Sequence, residues 1–556
     1  MPQYPASELA QLLISLCAVH KIEHIVISPG SRNAPLIVGF HSHPKIKTYS
    51  IVDERCAGFF ALGMAQQKRT PVALLCTSGS ALANYYPAIT EAFYSHIPLL
   101  IISADRPKKY LDIGDGQTIR QEGFFKNHIG YEANLQESDT SDIAITKISR
   151  AINTANDCCL PSHINIPFDE PFYEFKPTLV NTPKPAFKKR KTIDEVSNFA
   201  ATWNESSKKI VLIGQHYPND ELTALLETLA KDSSVLVVVE HTANMQHPSF
   251  LHSIDKNIFP LNEEEATSFV PDLLITMGSF VVSKMIKTHF RKHTPKHHWH
   301  IDEKRSLDTF LCLKKHIDCL PIVFFKALLP KIHMKEPSNF QKTFLDRAVI
   351  RSKKHGQFLK NCEFSDLKVM EILLNSIPKN SQLQLGNSSI IRYAQLFKIA
   401  KSIQVFCNRG TSGIDGCTST AIGASVANEQ QTTLITGDLS FFYDSNALWN
   451  NYIPPNFRII VVNNGGGGIF RMISGPKNTQ AMDYFETPHK LSCKPICELY
   501  NFDYLKASNK TELTLTLKDF FEPSEKPKLL EIKTPRSVND QIFNEYIEYL
   551  KNGLDV

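Results

Sequence analysis

The sequence predicts an α/β fold built from three successive doubly wound α/β domains. With 556 residues the chain is too long for a single hydrophobic core. Short apolar runs alternate with amphipathic stretches of helical period along most of its length. Apolar strands joined by helical crossovers are typical of parallel sheets that are covered on both faces. We therefore expect domains at residues 1–180, 195–335 and 366–556.

The composition describes an ordinary globular chain. Hydrophobic residues make up 42% and charged residues 21% of the sequence, and the formal net charge is +5. So small a charge argues against a dedicated nucleic-acid binder. No apolar run approaches the length of a membrane span, and no signal peptide is recognised at the start. We expect a cytoplasmic protein with free thiols and no membrane partner.

In the first domain, each predicted strand ends in a polar or glycine-rich turn and is followed by amphipathic sequence. These strands are Glu23–Ile27, Pro71–Cys76 and Pro98–Ser103. Ligands of parallel sheets bind at the carboxyl ends of the strands. The turns that follow these strands are therefore the places to look for functional side chains.

Residues 176–195 contain several prolines and the basic cluster Lys188–Lys191. We interpret this stretch as a solvated linker between domains. The alternative is a nucleic-acid or nuclear-localisation role for the basic cluster, which predicts salt-sensitive binding.

The middle domain shows strand patterns but no cofactor signature. Its predicted strands are Lys209–Gly214, Val235–Glu240, Leu273–Gly278 and His298–Asp302. None is followed by a Gly-x-Gly-x-x-Gly turn, so dinucleotide binding is not predicted. The run His297–His300 fits a strand at a sheet edge better than a metal site, because no Cys or carboxylate pattern accompanies it. Residues 335–365 are Lys-rich and predicted to be helical.

The third domain contains the most informative pair of strands. Thr433–Asp438 ends in Gly437-Asp438, and Arg458–Asn463 leads through Asn464 into the glycine run Gly465–Gly468. Asp and Asn supply the hard oxygen ligands that Mg²⁺ takes, and glycines allow backbone N–H groups to approach phosphate oxygens. A mobile loop is the alternative interpretation of the glycine run. Further strands are predicted at Leu383–Leu385, Ile403–Phe406 and Lys528–Lys533.

The Gly-Asp…Asn-Asn arrangement resembles the signature of thiamin diphosphate enzymes. Such enzymes need a carboxyl group beside the aminopyrimidine of the cofactor, so that its amine can remove a proton from the thiazolium ring. Glu54 follows a predicted strand and precedes the helical stretch Arg55–Ala65. The alternative is that Asp53 and Glu54 only cap this helix.

Four arginines lie just beyond predicted strand ends: Arg32, Arg106, Arg392 and Arg409. A single surface arginine commonly forms an ion pair worth about 0–1 kcal/mol. Four at strand ends predict an acidic substrate with more than one carboxylate, because guanidinium groups bind carboxylates through two hydrogen bonds.

The chain resembles the family of 2-succinyl-5-enolpyruvyl-6-hydroxy-3-cyclohexene-1-carboxylate (SEPHCHC) synthases. The motifs that carry the resemblance are SPGSRNAPL, DERCAGFFALG, CTSGSALANYYPA, ISADRP, QTIRQ, GNSSIIR, NRGTSGIDG, GDLSFFYDSNAL and NNGGGGIF. They run from residue 28 to residue 470 and cover all three domains. GDL and NRGxSGIDG distinguish this family from acetolactate synthase and pyruvate decarboxylase.

The resemblance implies a transferase of menaquinone biosynthesis that decarboxylates 2-oxoglutarate on thiamin diphosphate and adds the succinyl group to isochorismate. It implies Mg²⁺ or Mn²⁺ as the metal, and a homodimer or dimer of dimers whose active sites lie at the interface. It assigns catalysis to Glu54, which is also a cofactor contact. The other implied cofactor contacts are Ile414, Gly437, Asp438, Leu439, Asn464, Ile469 and Phe470. The implied metal ligands are Asp438, Asn464 and the carbonyl of Gly466.

The resemblance also implies the residues that bind the substrates. Ser388 and Arg392 resemble the pair that holds the succinyl carboxylate. The implied residues on the isochorismate side are Ser31, Arg32, Arg106, Gln117 and Lys284, and Arg409 lines the same site. Two departures from relatives, Met285 after Lys284 and Gly116, remove a cation and an amide and are expected to raise KM for isochorismate.

Two other functions remain open at this point. A simpler 2-oxo acid decarboxylase or acetohydroxyacid-type synthase would share the cofactor residues but would turn over without isochorismate. A non-catalytic regulator would bind cofactor without turnover, but it would have no chemical reason to keep Glu54, Asp438 and Asn464.

Overall fold

The computed structural model describes residues 2–182, 196–333, 338–472 and 474–551. The basic cluster Lys188–Lys191 lies outside these residues, so its role stays a prediction. Within the described ranges, no helix combines the length and the apolar character that a membrane span requires.

The first domain is a six-stranded parallel sheet with helices on both faces. Its strands are β1 (Tyr4–Pro5), β2 (His24–Ile27), β3 (Lys47–Ser50), β4 (Val72–Cys76), β5 (Leu99–Asp105), β6 (Tyr131–Asn134), β7 (Ser162–Pro167) and β8 (Phe175–Lys176). Its helices are α1 (Glu8–Val19), α2 (Ala34–Ser42), α3 (Glu54–Lys68), α4 (Ser80–Asn84), α5 (Tyr86–Ser95) and α6 (Ser141–Cys158). The strand order is β3-β2-β4-β5-β7-β6, while β1 and β8 form a separate antiparallel pair.

The middle domain is a second six-stranded parallel sheet. Its strands are β9 (Lys209–Ile213), β10 (Val235–Val239), β11 (Phe250–Leu251), β12 (Leu273–Met277), β13 (His297–Ile301) and β14 (Lys315–Ile317). Its helices are α7 (Val196–Glu205), α8 (Asp220–Leu229), α9 (Ile254–Ile258), α10 (Glu263–Phe269), α11 (Lys284–Lys292) and α12 (Pro321–Leu328). The strand order is β11-β10-β9-β12-β13-β14.

The prediction that the histidine run forms a sheet edge is wrong. Strand β13 lies between β12 and β14, and the side chains of His298 and His300 are buried. Both rings hydrogen-bond the Thr276 hydroxyl, at 3.0 and 2.9 Å. Alternation does place the two rings on one face, but a polar neighbour on β12 lets that face be interior.

The long helix α13 (Phe340–Asn361) joins the middle domain to the third and confirms the predicted helical connection. The third domain has the strands β15 (Gln382–Leu385), β16 (Gln404–Phe406), β17 (Thr432–Gly437), β18 (Arg458–Asn463), β19 (Asp503–Ala507) and β20 (Lys528–Lys533). Its helices are α14 (Asp366–Ser376), α15 (Ser389–Ala394), α16 (Cys417–Ala427), α17 (Asp438–Tyr443), α18 (Ile469–Met472), α19 (Ser474–Lys477), α20 (Met482–Glu486), α21 (Lys494–Leu499), α22 (Lys510–Phe520) and α23 (Asn539–Lys551). The parallel order is β16-β15-β17-β18-β20-β19, so the three-domain α/β fold class is confirmed.

The first and third domains pack against each other through α3 and α16. A Cβ added to Gly63 would lie 2.0 Å from the Thr420 carbonyl oxygen, and one added to Gly423 would lie 1.9 Å from the Phe60 carbonyl oxygen. The two helix backbones therefore approach more closely than any larger residue would allow. This contact fixes the orientation of the two domains that carry most of the predicted site residues.

Candidate active site

The carboxyl ends of β17 and β18 bring Asp438 next to the glycine run. The two strands are paired in parallel, with Gly437 opposite Val462. Asp438 is buried at the start of α17, where its Oδ2 accepts the N–H groups of Gly465 at 2.9 Å and Gly466 at 3.0 Å. Its Oδ1 accepts the Leu439 N–H at 2.7 Å. Burial raises the pKa of Asp438, and these N–H donors oppose the shift.

The glycine run uses its own N–H groups within the protein. The N–H of Gly467 donates to the Glu486 carbonyl at 2.6 Å, and that of Gly468 donates to the Gly466 carbonyl at 2.9 Å. In this conformation the four N–H groups of the run have protein acceptors, so the expected approach to phosphate oxygens is not confirmed. The φ angles of Gly465, +80°, and Gly466, +153°, explain why glycine is needed here.

Asn464 is held by a carboxylate that sequence reasoning did not single out. Its Nδ2 donates to Asp366 Oδ2 at 2.8 Å, and both side chains are buried. The preceding Asn463 donates in the same way to Glu531 Oε1 at 2.6 Å. The motif therefore has a buried acid behind each asparagine.

His489 is a second neighbour of Asp438 that the motifs did not reveal. Its Nε2 lies 3.3 Å from Asp438 Oδ2, and its backbone N–H donates to the Gly465 carbonyl at 3.0 Å. No signal in the sequence marks it, because it lies on a loop far from both motif strands in the chain.

The loop that follows β16 places Ile414 beside the start of α17. The Ser440 hydroxyl donates to the Ile414 carbonyl at 2.9 Å. Asn387 ties this loop to β15 by donating to the carbonyls of Asn408 and Gly413, both at 2.7 Å. From the first domain, buried Glu91 accepts the N–H groups at residues 410 and 411, at 2.8 and 2.6 Å. Both domains therefore fix the position of Ile414.

Glu54 is the first residue of α3, and it does not cap the helix. Asp53 is the cap, because its Oδ1 accepts the Cys56 N–H at 3.1 Å. The half-buried Glu54 side chain instead accepts from Asn84 Nδ2 at 3.2 Å. Burial raises the pKa of the Cys76 thiol at the end of β4, and the nearby charge of Glu54 raises it further. Glu54 is therefore available for another role at the carboxyl edge of the first sheet.

Arg55 connects this edge to the third domain. It donates to the carbonyl oxygens of Asp415 and Tyr443, and it lies 3.3 Å from the buried carboxylate of Asp444. Asp53 also accepts from Asn446 at 3.0 Å. Within one chain, the start of α3 is thus anchored to the loop after Ile414 and to the end of α17.

The first domain presents one pair of arginines. Buried Arg32 donates to Ser78 Oγ at 3.1 Å and to the Phe168 carbonyl at 3.2 Å. Desolvation and then the neighbouring charge of Arg106 lower the pKa of Arg32. Arg106 forms an ion pair with Asp115 at 2.9 Å. Two adjacent cations at the carboxyl edge of a sheet suit an anionic ligand, although Glu170, Asp115 and Asp105 offset part of their charge.

The remaining first-domain residues lie at the surface of the same edge. Ser31 and Gln117 are exposed. Gly116 donates no side chain, but its carbonyl accepts from Arg106 Nε at 3.3 Å, and a Cβ there would meet no atom within 4 Å. An asparagine would therefore fit at this position. The glycine found here still accepts the hydrogen bond from Arg106 through its carbonyl.

The third domain presents the second pair of arginines. Ser388 precedes α15 and Arg392 lies on it, one helical turn later, as predicted. Arg409 donates to Asn387 Oδ1 at 2.7 Å. Burial lowers the pKa of Arg392, and the nearby charge of Arg409 lowers it further. The φ of Ser388, +70°, is unusual for a residue with a side chain and is typical of functional sites.

The middle domain contributes α11 near this pair. Lys284 begins the helix and is exposed, while Met285 packs against the apolar core of the middle domain. Lys287, which the motifs did not single out, lies near the same arginines. Burial lowers the pKa of Lys287, and the charges of Arg409 and Arg392 lower it further. α11 thus places a cation, one turn after Lys284, near the arginines of the third domain.

The residues fit a divalent metal and a diphosphate in donor type. Asp438 and Asn464 offer oxygen ligands on adjacent strand ends, and the space around Gly437 is open. Among the described residues no three His, Cys, Asp or Glu side chains form a metal cluster. Leu439, Ile469 and Phe470 are half-buried beside the same loop.

Comparison with known proteins gives matches over the same two domains and over the whole chain. Residues 7–132 match "Thiamine pyrophosphate enzyme, N-terminal TPP binding domain", and residues 385–532 match the corresponding C-terminal TPP binding domain. The 2-succinyl-5-enolpyruvyl-6-hydroxy-3-cyclohexene-1-carboxylate synthase of Flavobacterium psychrophilum is 52% identical, over 98% of this chain and 100% of that protein. The chain belongs to the SEPHCHC synthase family.

Two further SEPHCHC synthases support this assignment. The synthase of Christiangramia forsetii is 48% identical over 99% of this chain, and that of Flavobacterium johnsoniae is 50% identical over 98%. Each match covers 100% of the relative. The family assignment and the thiamin diphosphate enzyme class are therefore confirmed, whereas the roles of individual site residues and the domain boundaries stay predictions.

Proposed function

We propose that this SEPHCHC synthase family member decarboxylates 2-oxoglutarate and transfers the succinyl group to isochorismate, in menaquinone biosynthesis. The main observation behind the proposal is that Asp438, the glycine run and Asn464 lie together at adjacent strand ends. The chain that contains them matches a synthase over 98% of its length. When bound, thiamin diphosphate supplies the nucleophilic carbon and accepts the electron pair that decarboxylation releases.

Asp438, Asn464 and the Gly466 carbonyl would hold Mg²⁺ or Mn²⁺, and through it the diphosphate. Gly437, Leu439, Ile469 and Phe470 would surround the cofactor, with Ile414 as the apolar support beneath it. Ser440 donates to the Ile414 carbonyl, and Glu91 accepts an N–H group from the same loop. These hydrogen bonds fix the position of Ile414, as such a support requires.

Glu54 would hold a proton at the pyrimidine nitrogen of the cofactor. Its half-buried carboxylate has an amide neighbour, Asn84, and no cation among the described residues is recorded as its ion-pair partner. An unpaired carboxylate at the carboxyl edge of a sheet can share a proton with a ring nitrogen.

The arginines would divide the substrates between them. Arg392 with Ser388 would bind the distal carboxylate of 2-oxoglutarate, and Arg409 would line the isochorismate side. Arg32 and Arg106 would bind the carboxylates of isochorismate. Ser31, Gln117 and Lys284, all exposed, would complete that side once the site is closed.

The active site would be completed by a second copy of the chain in a homodimer. Large apolar side chains are exposed next to both halves of the site. They are Val52, Tyr443, Trp449, Tyr484 and Phe485, with exposures of 41–90%. Exposed apolar surface beside polar site residues is typical of a protein interface. The twelve cysteines are free thiols, which suits a reducing cytoplasmic compartment.

The test is to incubate the protein with thiamin diphosphate, Mg²⁺ and 2-oxoglutarate, and to follow the ultraviolet absorbance of added isochorismate. Loss of isochorismate that requires both 2-oxoglutarate and cofactor is the expected result. Release of CO₂ without loss of isochorismate would replace the proposal with a decarboxylase that uses another acceptor. Bound cofactor with neither signal would favour a regulator.

A further inference from the structure

The side-chain amide of Asn464 has two different ends, and only one of them can bind a metal ion. Its oxygen is a hard ligand, whereas its NH₂ group has no lone pair to donate. Rotation of the amide by half a turn would exchange the two ends with almost no change in shape. A metal site that uses an asparagine therefore needs a neighbouring group that fixes the orientation of the amide.

Asp366 lies where it can fix the orientation of the Asn464 amide. It is buried, and its Oδ2 accepts the Asn464 Nδ2–H at 2.8 Å. An ionised carboxylate accepts hydrogen bonds but donates none, so the NH₂ end must face Asp366. Among the described residues no donor is recorded on Asn464 Oδ1, which leaves that oxygen available as a ligand.

The carboxylate is itself fixed from two other directions. Thr534 Oγ1 donates to Asp366 Oδ1 at 2.6 Å, and the Asp366 backbone N–H donates to Asn539 Oδ1 at 2.8 Å. Asp366 begins α14, whose hydroxyl cap Ser365 accepts the Lys368 N–H. These contacts come from three parts of the third domain, so Asp366 cannot turn away from Asn464 without breaking them.

We propose that Asp366 is a positioning residue that orients the Asn464 amide with its oxygen towards the metal ion. The proposal rests on the proposed role of Asn464 as a metal ligand. Partners of this kind commonly change metal affinity by about 10–100-fold when they are removed. Asp366 would act through Asn464, so its effect is expected on metal affinity first.

The test measures Mn²⁺ binding by the loss of the free-ion electron paramagnetic resonance signal, with thiamin diphosphate at saturation. Asp366→Leu is expected to weaken Mn²⁺ binding about 10–100-fold, whereas Asp366→Asn, which keeps an acceptor oxygen, stays close to the unmodified protein. The thermal midpoint of each variant without metal separates loss of binding from loss of folding. If the leucine variant does not fold, Asp366→Ala takes its place.

Asn464→Asp supplies the decisive control, because both ends of a carboxylate are oxygens and orientation no longer matters. The loss caused by Asp366→Leu should disappear or reverse in an Asn464→Asp background, because there the Asp366 carboxylate repels the new carboxylate instead of orienting an amide. Equal Mn²⁺ affinity in Asp366→Leu and the unmodified protein would overturn the inference, as would an equal loss in both backgrounds. Failure of the unmodified protein to bind Mn²⁺ with thiamin diphosphate would instead overturn the proposed function and the inference with it.

Discussion

The first and third domains have the same strand order but carry different chemistry at equivalent strand ends. Counted within each sheet, both orders read second, first, third, fourth, sixth, fifth. The fourth strand leads to Arg106 in one domain and to Asn464 in the other. The third leads to Ser78, which binds Arg32, in the first domain and to Asp438 in the third.

This comparison separates what the fold provides from what the sequence adds. The parallel sheet delivers several side chains to one edge in both domains. The first domain uses that edge for a carboxylate and a pair of arginines, and the third uses it for oxygen ligands and a second pair. The middle domain has a different order and contributes only the start of α11 to the predicted site. Fold alone therefore does not assign the function of a domain.

The largest effect that distinguishes the two domains is expected from Glu54→Gln. The amide cannot take up a proton at the cofactor ring, so kcat should fall about 10²–10⁴-fold. Affinity for thiamin diphosphate, set mainly by the third domain, should change little. Isochorismate consumption and calorimetric titration measure the two quantities. Glu137→Gln, an exposed position of the same domain, is the matched control, and full activity of Glu54→Gln would remove Glu54 from the mechanism.

Asp438→Asn should show the opposite pattern. It removes an anionic ligand while keeping size, so the affinity for thiamin diphosphate with Mg²⁺ should fall by about 10–100-fold. Activity should return in part at high cofactor and metal concentration, which does not occur for Glu54→Gln. Unchanged cofactor affinity in calorimetric titration would show that the third domain does not hold the metal through Asp438.

Arg392 and Arg32 should separate by substrate. Removal of a hydrogen bond to a charged group costs about 1.5–3 kcal/mol, or roughly 10–150-fold in binding. Arg392→Met should raise KM for 2-oxoglutarate by that factor, while Arg32→Met should raise KM for isochorismate. Steady-state kinetics with each substrate varied in turn gives both values. If both variants affect the same substrate, this division of the substrates is wrong.

The sequence was sufficient to predict most of the strands and the elements that carry them. β18 was predicted with its observed start and end, and β17 and α3 within a few residues, because their patterns are strongly apolar or amphipathic. Strands β6, β7 and β19 were missed, as were β1, β8, β11 and β14, which have only two or three residues each. β6 and β19 are short and partly exposed, and β7 contains His163 and Asn165 in its buried face. The buried polar pairing of His298 and His300 with Thr276 was missed for the same reason, since hydrogen-bond partners on another strand leave no local pattern.

The contacts that support the candidate site were also out of reach of the sequence. Asp366 and His489 lie far along the chain from Asn464 and Asp438, respectively, and stand in no recognisable motif. Motifs mark residues that recur together at fixed spacing, whereas supporting contacts depend on how distant segments meet.

The interface between the first and third domains should be sensitive to one methyl group. Gly63→Ala would place a carbon 2.0 Å from the Thr420 carbonyl, so the helices must separate. We expect a loss of about 1–3 kcal/mol in the free energy of unfolding, measured by urea denaturation. Gly356→Ala on α13 meets no atom within 4 Å and should be neutral or stabilising by up to about 1 kcal/mol. Equal stability of both variants would contradict close packing of α3 on α16.

Stability should also depend on pH, and the buried histidines of the middle domain contribute to this dependence. Burial lowers the pKa of His241, His289 and His298 to about 4. The unfolded chain binds these protons near pH 6.5, so stability should fall as pH drops from about 6.5 towards 4. Glu240 opposes this in part, because burial raises its pKa to about 7 and its contribution grows as pH falls below that value. We expect a net loss of roughly 3 kcal/mol between pH 7 and pH 5 by urea denaturation, and a constant midpoint would contradict it.

In the proposed homodimer, Glu54 of one chain would work with Asp438 and Asn464 of the other. Glu54→Gln and Asp438→Ala chains with different affinity tags can be expressed together and the mixed dimer purified through both tags. If the site forms between chains, one of its two sites is fully unmodified, and the mixed dimer should regain about half of the normal activity. Activity no higher than that of either parent variant, in a dimer shown to contain both chains, would place the whole site within a single chain and contradict the account.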